Sequence, residues 1–179
     1  MDNRTKIEPI IKEHGYLDFK WIDPKEIVVA QWVRMKCLYG CDEYGRVATC
    51  PPNVPSLAEC ERFFQDYKEA VIFHFEKKVD KPEDRSAWTK DLNMELLELE
   101  RKVFISGFQK AFLLFLDSCS ICESCSGVLH KCKEPEKARP SPEALAMDVF
   151  STVRKVGYPV EVLSDYSQMM NRFAFLLIE

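Results

Sequence analysis

The sequence predicts an α/β or α+β fold, a single mixed-sheet sandwich with covering helices and two inserted cysteine-rich metal loops. Three observations lead to this prediction: short apolar runs alternate with segments of helical periodicity, capping signals precede the helices, and eight cysteines fall into two groups. With 179 residues, 46% of them hydrophobic, the chain can bury a core of its own. We predict one α/β metal-binding domain over residues 1–179, with cysteine loops at 37–60 and 119–132.

The first predicted strand covers residues 27–30, a short apolar run that leads toward the first cysteines. A helix is expected to begin after Ser56, because Ser56 and Glu59 have the spacing of a capping box. One face of that helix carries Leu57, Cys60, Phe64 and Tyr67. Residues 70–75, rich in Val, Ile and Phe, then predict a buried strand.

Asp80 and Glu83 have the spacing of a second capping box and predict the start of a long helix. Its apolar face repeats every three or four residues through Trp88, Leu92, Leu96, Leu99 and Val103. Gly107 is well placed to end this helix in the left-handed conformation. Residues 111–116 predict another buried strand, which leads directly into the second cysteine group.

The last third of the chain predicts one more helix and two strands. Ser141 is expected to cap a helix that begins with Pro142 and Glu143 and runs to Gly157. Its apolar face carries Val149, Val153 and Val156. Residues 160–163 and 172–178 are expected to be strands that complete the sheet.

Charge and hydropathy exclude several classes of function. With 25 Lys and Arg against 29 Asp and Glu, the net charge of -4 indicates no nucleic-acid binding face. Residues 1–16 have no apolar core of a signal peptide. The longest purely apolar runs, 111–116 and 173–178, are six residues long, far short of the roughly 18 that span a bilayer. We therefore expect a cytoplasmic protein with no membrane role, whose oligomeric state the sequence leaves open.

Clustered cysteines in a reducing cytoplasm more often bind metal or do redox chemistry than form disulfides. The cysteines divide four and four between the first and last thirds of the chain: Cys37, Cys41, Cys50, Cys60, Cys119, Cys122, Cys125 and Cys132. All eight are predicted to bind a metal cofactor. Nearby cations could offset the negative charge of such a cofactor, although surface solubility explains them as well: Arg46, Lys131, Lys133 and Arg139.

The second group, Cys119-x2-Cys122-x2-Cys125, has the spacing with which loop thiolates hold three corners of a cubane iron-sulfur cluster. The bacterial ferredoxin run continues as C-x3-C-P, whereas here Cys132 follows after six intervening residues. Cys132 therefore either closes the same cluster or binds elsewhere. A zinc loop of Cys119, Cys122 and Cys125 with His130 or Cys132 is the alternative.

The first group, Cys37-x3-Cys41-x8-Cys50, lies among glycines and a proline pair, which predict a tight loop. Cys60 is the ambiguous member. It lies on the apolar face of the predicted Ser56 helix, where a free thiol is commonly a core residue. Its place near the start of that helix, where the dipole favours a thiolate, and the lack of another cysteine for the first set favour metal binding.

Other catalytic motifs are missing from the sequence. It contains no H-E-x-x-H, no radical-SAM C-x3-C-x2-C, no G-x-G-x-x-G and no Walker A loop. His74, inside an apolar strand, is expected to be a hydrogen-bonded core residue. The carboxylates of the long helix are expected on its solvated side without an acid-base role: Glu95, Glu98 and Glu100.

Four segments occur together in this chain: Cys37-x3-Cys41-x2-Tyr44-Gly45-x4-Cys50-Pro51-Pro52, Glu59-Cys60-Glu61-Arg62, the loop from Cys119 to Cys132, and Ala138-Arg139-Pro140-Ser141-Pro142-Glu143-Ala144. In this combination the chain resembles, over nearly its whole length, a family of small cysteine-rich predicted metal-binding proteins of unknown function. The resemblance implies a metal or iron-sulfur protein of anaerobic bacteria and archaea. It implies no particular reaction.

Two 4Fe-4S clusters with four thiolates each would use all eight cysteines. We therefore expect an iron-sulfur protein that relays electrons in an anaerobic metabolism and docks on a redox partner protein. A zinc-stapled binding module is one alternative. The other is a cluster-bearing enzyme with an open iron site for a small substrate, which would follow if Cys60 or Cys132 is a core residue.

Overall fold

The structure, a computed structural model, describes residues 3–165 and 167–179, so three positions of the predicted 1–179 unit lie outside the described residues. Its helices are α1 (Asn3–Glu13), α2 (Gln31–Gly40), α3 (Leu57–Gln65), α4 (Pro82–Ile105) and α5 (Val149–Lys155). Its strands are β1 (Phe19–Ile22), β2 (Ala70–Lys77), β3 (Phe112–Leu114) and β4 (Met170–Leu177). Short 3₁₀ turns cover Pro24–Glu26, Leu129–Lys131 and Glu143–Leu145.

The strands form a four-stranded sheet in the order β1-β2-β4-β3. The predicted class of an α/β sheet with covering helices is confirmed, but the sheet is antiparallel throughout rather than mixed. The reason is the path of β4, the last strand of the chain, which inserts between β2 and β3 and runs against both. Its register pairs Ala174 with Phe73 on one side and Leu176 with Leu113 on the other.

Helices cover both faces of this sheet, because alternate residues of a strand point to opposite faces. Val71 and Phe73 of β2 pack into one apolar core with residues of α1 and α4. Ala70 and Ile72 pack into a second core with residues of α3 and α5. Cys60 belongs to this second core and is fully buried.

Several predicted elements are confirmed with their local causes. Ser56 caps α3 through the predicted box, since Glu59 Oε2 accepts a hydrogen bond from Ser56 N at 2.9 Å. The predicted strands at 70–75 and 172–178 correspond to β2 and β4, and the long apolar repeat forms α4. Gly107, with φ of 105°, follows the end of α4 in the left-handed region.

Three other predicted features, two strands and one helix cap, do not form. Residues 27–30 form no strand, because Val29 makes only an isolated bridge to Met147. Residues 160–163, all described, pair with no strand, and Val162 is 85% exposed. The box predicted at Asp80 does not cap α4, which begins at Pro82 after Lys81 without a side-chain cap.

The sequence prediction also missed α1, β1 and α2. Helix α1 carries Pro9 inside it and mixes charges through its turns, which weakens its local signal. Strand β1 pairs with β2, and its partly buried residues lack the long apolar run of a central strand. Cys37 lies within α2 rather than in a loop. This helix packs against the rest of the protein through Val33, which is 4% exposed.

Candidate metal centre

The second cysteine group occupies the long connection that follows β3. The connection leaves the sheet at Phe115 and returns at Pro140, where Phe115 N donates a hydrogen bond to Pro140 O at 3.0 Å. Four thiol-bearing residues of this connection line one small cavity of about 20 Å³: Cys119, Cys122, Cys125 and Cys132. Cys132 therefore lies with its three neighbours despite its longer spacing.

Hydrogen bonds from backbone N–H groups reach the sulfurs of this cavity. Ala48 N donates to Cys125 Sγ at 3.3 Å. Burial raises the pKa of the Cys119 thiol, whereas backbone hydrogen bonds from Ile121 and Arg139 lower this pKa. Such bonds stabilise negative charge on sulfur, whether the thiolate is free or bound to a metal.

The two cysteine loops contact each other directly. Besides the bond from Ala48 to Cys125, Asn53 Nδ2 donates to Gly127 O at 2.8 Å. Gly127 has φ of 74°, and a Cβ atom there would lie 3.4 Å from Arg46 O. A glycine at this position therefore allows both the left-handed turn and the close approach of the first loop.

Three residues of the first group line a second, larger cavity of about 620 Å³: Cys37, Cys41 and Cys50. Cys37 belongs to the last turn of α2, and Cys41 directly follows this helix. Burial, together with the charges of Cys41, Glu43, Cys37 and Cys119, raises the pKa of the Cys50 thiol to about 12. Residues 47–49, directly before Cys50, line the four-thiol cavity, so the two cysteine groups are near neighbours.

The larger cavity also contains an ion-pair network that the sequence analysis missed. Arg85 donates two hydrogen bonds to Asp117, one of them from Nε at 3.1 Å, and Arg172 Nη1 lies 3.7 Å from Asp117 Oδ1. These residues come from α4, the loop after β3, and β4, so no local sequence pattern connects them. Arg172 Nε is buried without a hydrogen-bond partner among the described residues.

Cys60 faces a different environment from the other members of the first group. Its thiol lies 3.6 Å from Pro55 O, and it lines an apolar cavity rather than the one shared by Cys37, Cys41 and Cys50. Burial raises the pKa of Cys60, and the nearby guanidinium of Arg34 lowers it. The structure therefore does not bring Cys60 together with the three thiols of its predicted set.

Arg34 connects the elements around Cys60 and carries no sequence signal of its own. Its Nη2 atom donates to Ala144 O at 3.1 Å and to Pro55 O at 3.3 Å, and lies 4.0 Å from Cys60 Sγ. Its charge also lowers the pKa of Cys37, which burial raises. Arg34 therefore favours the thiolate form of both Cys37 and Cys60.

The predicted roles of the other candidate residues have mixed outcomes. His74 is a hydrogen-bonded core residue as predicted, with Nδ1 2.6 Å from Asp18 Oδ2 and Nε2 2.7 Å from Asn171 Oδ1. The prediction for Glu100 was wrong, since Glu100 is 5% exposed and binds Arg139. His130 is exposed and does not line the four-thiol cavity.

The donor chemistry fits a metal that prefers sulfur. Within residues 3–165 and 167–179, no three Cys, His, Asp or Glu side chains are grouped closely enough to hold a metal ion as they stand. Seven thiols nevertheless line the two neighbouring cavities, and thiolates are the donors that zinc and iron-sulfur clusters share. Metal binding to such loops is coupled to the ordering of the ligands and to loss of the thiol protons.

Comparisons with known proteins agree with this donor chemistry. Residues 20–178 match a family described as Predicted metal-binding protein (DUF2284). No curated protein and no solved structure matches the chain. In the described part of the chain, no helix has the length and apolar character needed to cross a membrane. The family match covers both cysteine groups and confirms the resemblance carried by the cysteine segments, so the chain belongs to this family of predicted metal-binding proteins of unknown function.

Proposed function

We propose that this protein is an iron-sulfur protein that binds two 4Fe-4S clusters and relays electrons to a redox partner protein in the cytoplasm of an anaerobe. The single observation that carries the proposal is the shared cavity of Cys119, Cys122, Cys125 and Cys132. Its donor set consists of sulfur with short C-x2-C spacings, which favours a cluster over a zinc ion. Residues 1–179 would act as one domain in this role.

The four thiols around this cavity would hold one cluster and the loop would open around it, because about 20 Å³ is little more than the space of one water molecule. When bound, a 4Fe-4S cluster supplies reversible one-electron transfer. The chain's own residues tune the site, since Ala48 N donates to Cys125 Sγ at 3.3 Å and backbone hydrogen bonds stabilise charge on Cys119. Hydrogen bonds to cluster sulfurs are among the features that set a cluster's potential.

The first group would hold the second cluster through Cys37, Cys41 and Cys50, with Cys60 as the predicted fourth ligand. The contact between the two loops supports a relay, because residues 47–49, directly before Cys50, line the four-thiol cavity and bring the two groups side by side. The partly buried charges of Arg85 and Arg172 in the same cavity would offset part of the added negative charge.

An exposed apolar face of α2 supports docking of a redox partner next to the first group. Its members are Trp32, Met35, Leu38 and Tyr39, which are between 40% and 79% exposed. Exposed apolar patches with aromatic side chains are typical of protein interaction sites. Because α2 also carries Cys37, a partner on this face would lie close to the proposed cluster.

Anaerobic purification followed by iron, sulfide and zinc analysis tests the proposal. We expect about eight irons and eight sulfides per chain, as two 4Fe-4S clusters require. The variant Cys122→Ser should lose about half of the iron, whereas the neighbouring Ser124→Ala should retain it. Stoichiometric zinc without iron would contradict the proposal and favour the zinc-stapled binding module.

The placement of Cys60 favours a second candidate function, a cluster-bearing enzyme with an open iron site. Cys60 lines another cavity, and the three remaining thiols line a space of about 620 Å³ that is large enough for a small substrate. Cys60→Ser discriminates between the two functions, with Cys50→Ser as the matched variant. Unchanged iron content and spectrum in Cys60→Ser alone would favour the open site, and loss of iron in both variants would favour four-thiolate binding.

A further inference from the structure

An apolar cavity of about 560 Å³ is bordered by both cysteine loops, α3 and β3. Its apolar walls include Phe63, Phe112, Leu129 and Leu145. Phe63 and Phe112 are in contact edge to face, with ring centroids 5.5 Å apart. Small-molecule pockets in proteins have volumes of roughly 300–1,000 Å³ and mostly apolar walls with a few polar groups. The cavity has the dimensions and lining of a ligand site, and among the eight cysteines only Cys60 lies on its wall, the other seven lining the two thiol cavities.

The charged groups around this cavity already have partners. Glu59 accepts hydrogen bonds from Ser56 N and Ser56 Oγ at 2.9 and 2.6 Å. Arg139 donates to both carboxylate oxygens of Glu100, at 3.0 and 2.7 Å. A charged ligand would therefore lose its hydration without gaining a free counter-ion, so the lining selects a neutral molecule.

One polar group in the lining lacks a partner. Thr49 is 5% exposed, and its Oγ1 atom makes no hydrogen bond with any group in the described part of the chain. Buried hydroxyl groups in proteins nearly always have a partner, because an unmet hydrogen bond away from water costs free energy. A ligand with one hydrogen-bond acceptor would supply that partner.

The same wall separates this cavity from the four-thiol cavity. Three residues line both spaces, namely Ala48, Thr49 and Ala138. A molecule in the apolar cavity would therefore be separated from the cavity of Cys119, Cys122, Cys125 and Cys132 only by the residues that line both spaces. A ligand in this position would exchange electrons with the second cysteine group only if the proposed iron-sulfur function is correct.

We propose that the apolar cavity binds a small neutral ring compound with a carbonyl group, of the quinone class, and that the Thr49 hydroxyl donates a hydrogen bond to its carbonyl oxygen. The flat ring packs against Phe63 and Phe112, for which offset and edge-to-face contacts are favourable. Resting on the proposed function, this compound would carry electrons beside the second cysteine group: two successive one-electron transfers from the cluster, which the redox partner would resupply, and two protons from water would convert the quinone to the hydroquinone.

Duroquinone is a suitable probe, because methyl groups occupy every ring position at which the Cys60 thiol could add. Equilibrium dialysis under anaerobic conditions, without added reductant, measures its binding to the purified full chain with its metal retained. We expect one equivalent to bind. Thr49→Val should weaken binding about five- to tenfold, the factor that one lost hydrogen bond gives, and Thr49→Ser should restore it.

A cavity-filling variant and its matched control complete the test. Ala138→Trp should abolish binding, because the larger side chain extends from the shared wall and fills the cavity. Ala87→Trp, on the exposed side of α4, should leave binding unchanged. No binding to the wild-type chain, or equal binding by wild type, Thr49→Val and Ala138→Trp, would overturn the inference. Metal analysis of the same samples tests the iron-sulfur function separately, since zinc in place of iron would refute that function and leave the binding result valid.

Discussion

Arg139 and Glu100 form a buried ion pair that ties the end of the second cysteine loop to the longest helix. Both guanidinium contacts are short, 2.7 and 3.0 Å, and Glu100 Oε1 also accepts a hydrogen bond from Leu113 N at 2.7 Å. Glu100 therefore accepts a hydrogen bond from a backbone N–H of β3 and also forms an ion pair with the arginine of the loop. Removing this carboxylate would leave Leu113 N buried without its acceptor and would leave Arg139 Nε and Nη2 without theirs, while Arg139 Nη1 keeps its bonds to Glu136 O and Ala138 O.

We predict that Glu100→Ala lowers the free energy of unfolding by about 3–5 kcal/mol, the typical cost of breaking a buried ion pair. Glu98→Ala is the matched control, because Glu98 is exposed on the same helix and should change stability by no more than about 0.5 kcal/mol. Urea unfolding followed by circular dichroism measures both values. Equal effects of the two substitutions would contradict the buried role of Glu100.

Tyr67, at the end of α3, makes the stability of the fold sensitive to alkaline pH. Burial, together with the charges of Asp66 and Glu100, raises the pKa of Tyr67 to about 12. The unfolded chain releases the phenol proton near the ordinary pKa of 10.0, before the folded chain does. The contribution of Tyr67 is therefore fully present below pH 10 and is lost as the pH rises through about 12.

We expect the wild-type chain to lose roughly 1 kcal/mol more stability between pH 10 and pH 11 than the variant Tyr67→Phe, which has no phenol proton to release. Tyr39→Phe is the control, because Tyr39 is 79% exposed. The measurement is the free energy of unfolding in urea at both pH values. A Tyr67→Phe variant with the same pH slope as wild type would refute the prediction.

At the scale of elements, the start of α5 shows how a local signal can point to the wrong place. Ser141 and Pro142 precede only a single 3₁₀ turn, Glu143–Leu145. Ala146 then adopts the left-handed region with φ of 60°, which prevents a continuous helix. The chain restarts at Asp148, whose Oδ1 accepts a hydrogen bond from Ser151 N at 3.0 Å. The predicted helix through Val149 was therefore correct in its buried face, but its predicted cap, Ser141, lies seven residues before the actual cap, Asp148.

Asp148→Ala should destabilise the protein by about 1 kcal/mol, because α5 loses the side chain that caps it. Asp148→Asn should retain most of the stability, since asparagine caps a helix about as well as aspartate. Thermal unfolding of the two variants beside wild type provides the comparison. A loss in Asp148→Asn as large as in Asp148→Ala would show that charge, rather than capping, is the contribution of this side chain.

At the scale of the whole molecule, the apolar cores and the cysteine loops are largely separate. The two cores contain residues of the sheet and of the helices on its faces. Among the described cysteines, Cys60 belongs to one core, and the partly buried Cys119 packs against the other. The loops instead contact each other through polar bonds such as Asn53 Nδ2 to Gly127 O at 2.8 Å. Metal would thus stabilise the loops more than the sheet.

Removal of metal by a chelator under anaerobic conditions should therefore preserve the far-ultraviolet circular dichroism of the sheet and helices. Limited proteolysis should become faster within residues 119–132, because the loop loses the cofactor that orders its thiols. Mass spectrometry of the fragments locates the cuts. Global unfolding on chelation would show that the metal also stabilises the two apolar cores.

The sequence by itself determined the features that depend on neighbouring residues. The Ser56 box, the apolar run of β2 and the repeat along α4 are local patterns, and each formed the predicted element. The cysteine spacings likewise led to the metal-binding family. Helix capping and periodicity act within a few turns of chain, which explains why these predictions succeeded.

Only the tertiary structure decided which distant segments meet. The bond from Ala48 N to Cys125 Sγ joins residues 77 positions apart, and Glu100 is buried because a loop arginine 39 positions later folds onto it. Cys60 faces an apolar cavity because α3 packs against the sheet, although its sequence spacing fitted metal binding equally well. Burial and long-range pairing depend on the packing of whole elements, and no local pattern contains that information.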